Sequence, residues 1–175
     1  MASTSVAIFD CSAVITWAQQ REGWEAITSQ LVDENVTIFF HRQNATEFWY
    51  QTHRREALAA FMRANPHRMQ PNGQTDLTGL NLLDPTIFDA QRGLRIANES
   101  LALLEATQVR IVGDETYPEL WKRAAELKSQ HRRISLADCF GVALANEMGA
   151  PFWTSDRHEL TALADAGIAN IRFIR

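Results

Sequence analysis

Short apolar runs alternate with helical patterns along the whole chain, and this alternation is the strongest constraint on its fold. Five runs have the length and the β-branched or aromatic content of buried strands, and they lie at 6–9, 37–40, 109–112, 151–154 and 171–174. Strands that are apolar throughout and that alternate with helices form parallel sheets covered on both faces. We therefore predict a three-layer α/β fold, with a central parallel sheet of about four to five strands between two layers of helices.

Apolar residues at helical spacing predict helices in the intervals between these strands. The predicted helices lie around 24–31, at about 44–64, from 85 to about 104, at 116–131, at 135–148 and at 157–166. Asp84 and Pro85 are typical of an N-cap followed by proline at the first helical position. Ser135 and Asp138 form a capping pattern at the start of another helix, which Gly149 is expected to end.

The length of 175 residues favours a single domain over 1–175. One long loop is predicted at 65–84, where Pro, Gly, Asn and Asp are frequent. No apolar run approaches the roughly 20 residues that cross a bilayer, and the first residues lack the basic stretch of a secretory signal. We expect a soluble cytoplasmic protein with no membrane segment.

Acidic side chains follow two of the predicted strands and begin two of the predicted helices. Asp10 directly follows the first strand, Asp156 follows the fourth after one serine, and Asp138 and Glu47 lie in the first turns of helices. Ligands bind at the carboxyl ends of parallel strands, so these four acids are expected to converge, with Asn44 on the helix face of Glu47. Taken singly, each acid is more typical of a turn, a cap or a solvated helix face. Four carboxylates at one site would account for the formal net charge of −4, which is unlike that of a basic nucleic-acid scaffold.

Several carboxylates within a few ångströms repel one another and raise each other's pKa unless a cation neutralises them. Sites made only of oxygen ligands suit Mg²⁺ or Mn²⁺, and such an ion favours phosphodiester hydrolysis. Cys11 and Cys139 each follow one of these acids, and we interpret them as small buried residues rather than as a thiol–metal or redox site. The five histidines, His41 among them, have no metal-ligand spacing and are expected at the surface or in loops.

Four segments, in this order and at these spacings, resemble the PIN domain. They are Val-Ala-Ile-Phe-Asp10-Cys-Ser-Ala13, Asn-Ala-Thr-Glu47, Ser-Leu-Ala-Asp138-Cys-Phe, and Gly149-Ala-Pro-Phe-Trp-Thr-Ser-Asp156. Within that family they are most similar to the VapC-type toxins of bacterial toxin–antitoxin pairs, over a match that runs from residue 6 almost to the C-terminus. The resemblance implies a Mg²⁺- or Mn²⁺-dependent endoribonuclease that is usually a homodimer and is held inactive by a cognate antitoxin.

The resemblance also implies which residues act. Asp10, Glu47, Asp138 and Asp156 occupy the acidic positions of the family and are the implied catalytic residues. The first three would hold the metal ion, and Asp156 would complete its ligand shell or position the attacking water.

Two hydroxyl residues match the family, and two features depart from it. Ser12 and Thr154 stand where the family carries small hydroxyl residues, which implies hydrogen bonds from them to the acids. Cys11 stands where many members have Ser or Thr. The chain is also longer than a minimal toxin, and we assign the excess to an insertion at 65–107, which leaves RNA choice and antitoxin fit open.

Basic residues form clusters at 53–55, 63–68 and 128–133. Each cluster is typical of a solvated helix face, and each would also suit contact with RNA phosphates. Arg132 and Arg133 lie just before the helix of Asp138, so they are the best-placed candidates for RNA binding.

Three other functions fit part of this pattern. A PIN nuclease of RNA processing would need the same acids but no antitoxin, and a non-catalytic PIN-like scaffold would keep the acids without turnover. A receiver domain also places acids at strand ends, but it requires an acidic pair after its first strand, whereas Asp10 is followed by Cys11 and Ser12.

Overall fold

The computed structural model describes residues 5–34, 36–70, 75–107 and 109–174, with the backbone alone for residues 30–34. The chain divides into two compact units. The sheet unit comprises Met1–Phe48 and Leu104–Arg175, and the second unit comprises Trp49–Leu103. The predicted loop at 65–84 belongs to the second unit, and its residues 71–74 lie outside the described residues.

The described strands form one sheet in which every neighbouring pair is parallel. They are β1 (Val6–Phe9), β2 (Thr37–His41), β3 (Val109–Val112), β4 (Phe152–Thr154) and β5 (Ile171–Phe173), in the order β3-β2-β1-β4-β5. Each of the five predicted runs is therefore a strand, and the predicted parallel sheet is confirmed.

Helices fill the intervals between the strands. They are α1 (Cys11–Ala18), α2 (Trp24–Glu34), α3 (Arg42–Ala64), α4 (Ala90–Glu105), α5 (Leu120–Gln130), α6 (Leu136–Met148) and α7 (Arg157–Asp165), with a 3₁₀ turn at Pro66–Arg68. The predicted three-layer α/β fold is confirmed. The bounds agree with the predicted intervals except that α4 and α5 begin later and that α1 has no counterpart among the predicted helices. None of the helices in the described ranges is long and apolar enough to cross a membrane.

The direction of strand addition reverses between β1 and β4, in the middle of the sheet. From β1 the chain adds β2 and β3 on one side, and it then returns to add β4 and β5 on the other. Ile8 consequently pairs with Phe39 of β2 on one side and with Phe152 of β4 on the other. The carboxyl ends of β1 and β4 therefore flank the switch point, which is where open parallel sheets bind ligands.

Helix α6 forms the centre of the core in the sheet unit. Its residues 138–145 are all buried, and its apolar side chains pack with Ile8, Phe152 and Leu160, each fully buried. Gly141 permits this close approach to the sheet, because a Cβ at that position would lie 2.4 Å from Cε2 of Phe152. The packing thus holds α6 directly against the strands that end at the switch point.

Polar side chains determine where α1 and α6 begin. Ser135 caps α6 as predicted, and Gly149 ends it with a φ of 60°, so both predictions are confirmed. Helix α1 begins directly after Asp10, whose carboxylate accepts a hydrogen bond from the N–H of Ala13. The signal for α1 is an aspartate N-cap followed by apolar residues at helical spacing.

In the second unit, α4 begins later than predicted. The Asp84 carboxylate accepts hydrogen bonds from the N–H and the hydroxyl of Thr86 and so closes a turn. The helix begins only at Ala90, where Asp89 accepts a hydrogen bond from the N–H of Arg92. The predicted N-cap at Asp84 is therefore wrong, because its side chain stabilises a turn instead of the first turn of a helix.

Candidate active site

Asp10 follows the last residue of β1 and is almost completely buried, with 2% of its surface exposed. Its carboxylate accepts a hydrogen bond from the N–H of Ala13 at 2.6 Å and another from the hydroxyl of Thr154 at 2.6 Å. The Ser12 hydroxyl lies 2.9 Å from both carboxylate oxygens. These donors fix the orientation of a buried carboxylate at the carboxyl end of the sheet.

The hydroxyls of Ser12 and Thr154 also connect Asp10 to the segment that follows β4. The N–H of Ser155 donates to Ser12 Oγ at 2.8 Å, and the N–H of Asp156 donates to Thr154 Oγ1 at 2.9 Å. Each hydroxyl therefore accepts a hydrogen bond from this segment and donates one to Asp10. Their part in a reaction stays a prediction.

Asp138 lies in the first turn of α6, with 8% of its surface exposed. The Ser135 hydroxyl donates to its carboxylate at 2.8 Å and accepts from its N–H at 3.0 Å. This reciprocal pair holds the carboxylate at the N-terminus of the helix, where the helix dipole favours negative charge.

Burial and neighbouring charges raise the pKa of both buried acids. Burial, with a smaller contribution from Glu47, raises the pKa of Asp10 to about 6, even though its hydrogen bonds favour the charged form. Burial raises the pKa of Asp138 to about 8, and the charges of Asp10, Glu47 and Glu159 contribute to that increase. Asp10, Glu47 and Asp138 are thus close enough to repel one another, and this repulsion is the expected property of acids that share a site.

Asp156 is half-buried and caps α7, because its carboxylate accepts a hydrogen bond from the N–H of Glu159 at 3.1 Å. Its connection to Asp10 runs through the Thr154 hydroxyl. Glu159 was not among the predicted site residues, yet its charge raises the pKa of Asp138. Its spacing of one helical turn from Asp156 is the sequence signal that points to it.

Asn44 lies in the first turn of α3 and is fully buried, with 0% of its surface exposed. Neither its Oδ1 nor its Nδ2 atom has a hydrogen-bond partner in the described chain. Its Oδ1 lies 3.1 Å from the position that a Cβ on Gly141 would take. Asn44 is one turn before Glu47 on α3, and Gly141 is one turn after Asp138 on α6, so the amide lies where the two acid-bearing helix faces meet.

His41 ends β2 and is buried, with 2% of its surface exposed, so the expected surface position is wrong for this histidine. Its ring stacks on Phe140 with the ring centroids 4.6 Å apart. Burial lowers the pKa of His41 to about 4, so the ring is neutral at pH 7. Its Nδ1 accepts a hydrogen bond from the N–H of Gln43, which assigns the proton of the neutral ring to Nε2.

Cys11 and Cys139 are both buried free thiols, as predicted. Burial raises the pKa of Cys139 to about 11. Burial and the charges of Glu47, Asp10 and Asp138 also raise the pKa of Cys11. Because the thiolate is the reactive form, these cysteines are poorly suited to nucleophilic or redox chemistry.

Arg132 and Arg133 are exposed in the turn that joins α5 to α6. The Lys128 ammonium donates hydrogen bonds to the carbonyl oxygens of Arg132 at 2.8 Å and of Ile134 at 2.5 Å. This contact orders the backbone of the turn and leaves both guanidinium groups in solvent, immediately before the helix that carries Asp138.

A sequence profile of the PIN domain matches residues 7–165, nearly the whole chain. The chain belongs to the PIN domain family. This is a family of nucleases, and the resemblance found in the sequence is confirmed. No curated protein is significantly similar to this PIN domain in sequence.

Solved structures of toxin–antitoxin proteins share this PIN fold. VapBC2 from Rickettsia felis, bound to a DNA fragment from its promoter, is 10% identical, with a TM-score of 0.57 over 96% of this chain and 98% of that chain. A toxin–antitoxin complex from Klebsiella pneumoniae is 11% identical, with a TM-score of 0.55 over 97% and 98% of the two chains. VapC20 from Mycobacterium tuberculosis, a toxin that cleaves the sarcin–ricin loop, is 14% identical, with a TM-score of 0.53 over 89% and 94%. At these identities the likeness is one of fold.

PIN nucleases generally use divalent metal ions, and the donor chemistry of this PIN domain fits such an ion. Its clustered acids offer only oxygen ligands, and neither Asp10 nor Asp138 has a cationic partner among the ion pairs of the described residues. Within the described ranges, no group of three or more His, Cys, Asp or Glu side chains is arranged to hold a metal ion. The residues fit the ion by their chemistry, and binding would require the carboxylates of Asp10, Glu47 and Asp138 to draw closer.

Proposed function

We propose that this protein is a Mg²⁺- or Mn²⁺-dependent endoribonuclease and the toxin of a toxin–antitoxin pair. The observation that carries the proposal is the pair of buried carboxylates Asp10 and Asp138, whose pKa values are raised by burial and by neighbouring acidic charges in a PIN domain. Ionised acids in such surroundings are unfavourable unless a cation neutralises them. Strongly shifted acids at a switch point are typical of a functional site.

In this proposal, Asp10, Glu47 and Asp138 hold the ion, and Asp156 completes its ligand shell or positions the attacking water. The ion, when bound, would orient a phosphate oxygen, lower the pKa of a water molecule and stabilise the leaving oxygen. Glu159, whose charge reaches Asp138, adds to the negative potential that attracts the cation.

The remaining residues position the acids and the RNA. Ser12 and Thr154 hold the Asp10 carboxylate in one orientation through their hydroxyl hydrogen bonds. Arg132 and Arg133 are exposed on an ordered turn next to α6, and in this proposal their positive charges bind RNA phosphates. Water attack on a backbone phosphate then breaks one phosphodiester bond of the bound RNA.

The fold similarity supports the toxin part of the proposal. VapC20 is a toxin that cleaves the sarcin–ricin loop, and the Klebsiella pneumoniae structure is a toxin–antitoxin complex. By analogy we propose RNA as the substrate, a cognate antitoxin as the protein partner, a homodimer as the assembly and the cytoplasm as the location.

The decisive experiment incubates the purified protein with total cellular RNA in Mg²⁺, Mn²⁺ or EDTA, beside the Asp10→Asn variant. We expect discrete RNA fragments that require the metal and are absent with the variant. Metal-independent cleavage, or equal cleavage by the variant, would refute the proposed site. If the protein cleaves RNA but no small open reading frame beside its gene protects growth, an RNA-processing nuclease is favoured. If the protein binds Mn²⁺ but cleaves no RNA, a scaffold is favoured.

A further inference from the structure

We propose that Asn44 is a further positioning residue of the divalent-cation site, and that it acts on the water shell of the ion rather than on the ion directly. This inference rests on the proposed function, since it concerns the ion that Asp10, Glu47 and Asp138 would hold. It is carried by the position of Asn44 and by the two polar atoms of its amide that have no partner.

The burial of Asn44 requires an explanation, because its amide has one acceptor and two donor hydrogens. The side chain is 0% exposed and neither polar atom is hydrogen-bonded in the described chain. Burying an unpaired amide is unfavourable, and a leucine of similar volume would avoid that cost. An asparagine in such a place is therefore expected to have a partner that is not part of the polypeptide.

The position of the amide favours a partner at the acidic site. Asn44 precedes Glu47 by one turn of α3, and its Oδ1 faces Gly141, which follows Asp138 by one turn of α6. The amide is therefore next to the helix faces that carry Glu47 and Asp138, and it is more completely buried than Asp138, at 0% against 8% exposed. Gly141 has no side chain to cover Oδ1, since a Cβ there would be only 3.1 Å from it.

The chemistry of an amide suits this position. Mg²⁺ retains several of its water molecules when carboxylates bind it, and those waters need acceptors in a buried site. Asn44 Oδ1 can accept from such a water, while Nδ2 can donate to a carboxylate. Unlike another acid, an amide does this without adding a negative charge to a site where Asp10, Glu47 and Asp138 already repel one another.

The test measures Mn²⁺ binding by calorimetry and the melting temperature in EDTA for the wild type, Asn44→Leu and Asn44→Ala. Leu keeps the volume and removes the polar atoms, so it should melt at the wild-type temperature or higher while its Mn²⁺ affinity falls about 10- to 100-fold, as for other residues that act through a metal ligand. The Asn44→Ala variant should weaken Mn²⁺ binding to a similar extent, although its melting temperature is lower. The inference therefore stays testable if Asn44→Leu prevents folding. Wild-type Mn²⁺ affinity in either folded variant would overturn the inference and leave a role in packing or in binding a trapped water.

Two controls separate this inference from the proposed function. Thr28→Val removes another buried hydroxyl without a partner, on α2, and should leave the Mn²⁺ affinity unchanged; an equal loss there would overturn the role of Asn44. Asp10→Asn should abolish Mn²⁺ binding. If the wild type binds no Mn²⁺, or if Asp10→Asn binds it normally, the proposed function fails together with this inference. If Asp10→Asn loses Mn²⁺ affinity and Asn44→Leu does not, this inference alone is overturned.

Discussion

The Thr154 hydroxyl donates a hydrogen bond of 2.6 Å to the Asp10 carboxylate, joining two residues that are 144 positions apart in the chain. The contact exists because β1 and β4 are parallel neighbours, with Phe9 paired to Trp153. Thr154 is fully buried and accepts a hydrogen bond from the N–H of Asp156 at 2.9 Å. One hydroxyl therefore couples the orientation of Asp10 to the backbone from which Asp156 extends.

Replacing Thr154 by valine keeps the shape of the side chain and removes this coupling. We expect Thr154→Val to lose about 1–2 kcal/mol of unfolding free energy, since two buried hydrogen bonds are lost. Mn²⁺ affinity and RNA cleavage should fall about 10-fold or more, because Asp10 loses a donor that orients it. Urea denaturation, calorimetry and an RNA cleavage assay measure the three quantities.

Thr16→Val is the matched control. Thr16 is also buried, and its hydroxyl lies 3.0 Å from that of Ser155 rather than against Asp10. This variant should lose about 0.5–1.5 kcal/mol of unfolding free energy, since one hydrogen bond is lost, but keep its Mn²⁺ affinity and cleavage rate. Equal losses of activity in the two variants would assign Thr154 a role in stability alone.

The Asp10→Asn variant distinguishes a functional acid from a structural one. The folded-state pKa of Asp10 is about 6, above its ordinary value of 3.8, so the stability associated with its protonation is present at low pH and lost as the pH rises through 6. The difference between the two pKa values sets an upper limit of about 3 kcal/mol on the stability that the ionised carboxylate costs. At pH 8 without metal, Asp10→Asn should therefore gain about 1–2 kcal/mol of unfolding free energy, because the amide makes weaker hydrogen bonds than the carboxylate. Its RNA cleavage should be abolished.

Urea denaturation at pH 4 and pH 8 measures this gain, which should be absent at the lower pH. Asp165→Asn, at the exposed C-terminal end of α7, is the control and should keep both cleavage and stability. A lower stability of Asp10→Asn at pH 8 would mean that Asp10 serves the fold rather than catalysis.

The strands could be predicted from the sequence because a buried parallel strand is apolar at every position, as Val6–Phe9 is, whatever its neighbours. Helix starts were less predictable, since Asp84 can close a turn with Thr86 as readily as it can cap a helix. Asp10 and Asp138 could be proposed because they follow a strand end and a cap, which are local features. The burial of His41 and the proximity of Glu159 to Asp138 depend on tertiary packing, which no local pattern encodes.

The pH dependence of stability should report on Asp138. Its folded-state pKa is about 8 against an ordinary value of 3.8, so the stability associated with its protonation is lost as the pH rises through 8. Between pH 6.5 and 8 the contribution of Asp10, with a pKa of about 6, is nearly constant, and His41, whose pKa is lowered from 6.5 to about 4, adds only a small gain of stability in the opposite direction. The melting temperature of the metal-free wild type should therefore fall across this range.

Asp138→Asn provides the comparison for this pH effect. Its melting temperature should change much less between pH 6.5 and 8, because the titrating carboxyl is absent. Saturating Mn²⁺ should remove the fall in the wild type, since a bound cation favours the ionised carboxylate. An equal change of melting temperature with pH in the two metal-free proteins would contradict the raised pKa of Asp138.

The turn before α6 should supply the electrostatic part of RNA binding. In an Asp10→Asn background, which leaves the RNA intact, the double substitution Arg132→Ala with Arg133→Ala should weaken binding and lower the salt dependence of the affinity by about one unit of slope per lost phosphate contact. Lys122→Ala with Arg123→Ala removes the same charge at the opposite end of the α5–α6 hairpin, where both side chains pair with glutamates. Binding measured from low to high salt should separate the two pairs, with the first changing the slope and the second leaving it at the wild-type value. An unchanged slope for the first pair would mean that Arg132 and Arg133 face solvent in the complex and that the RNA approaches the acids from another side.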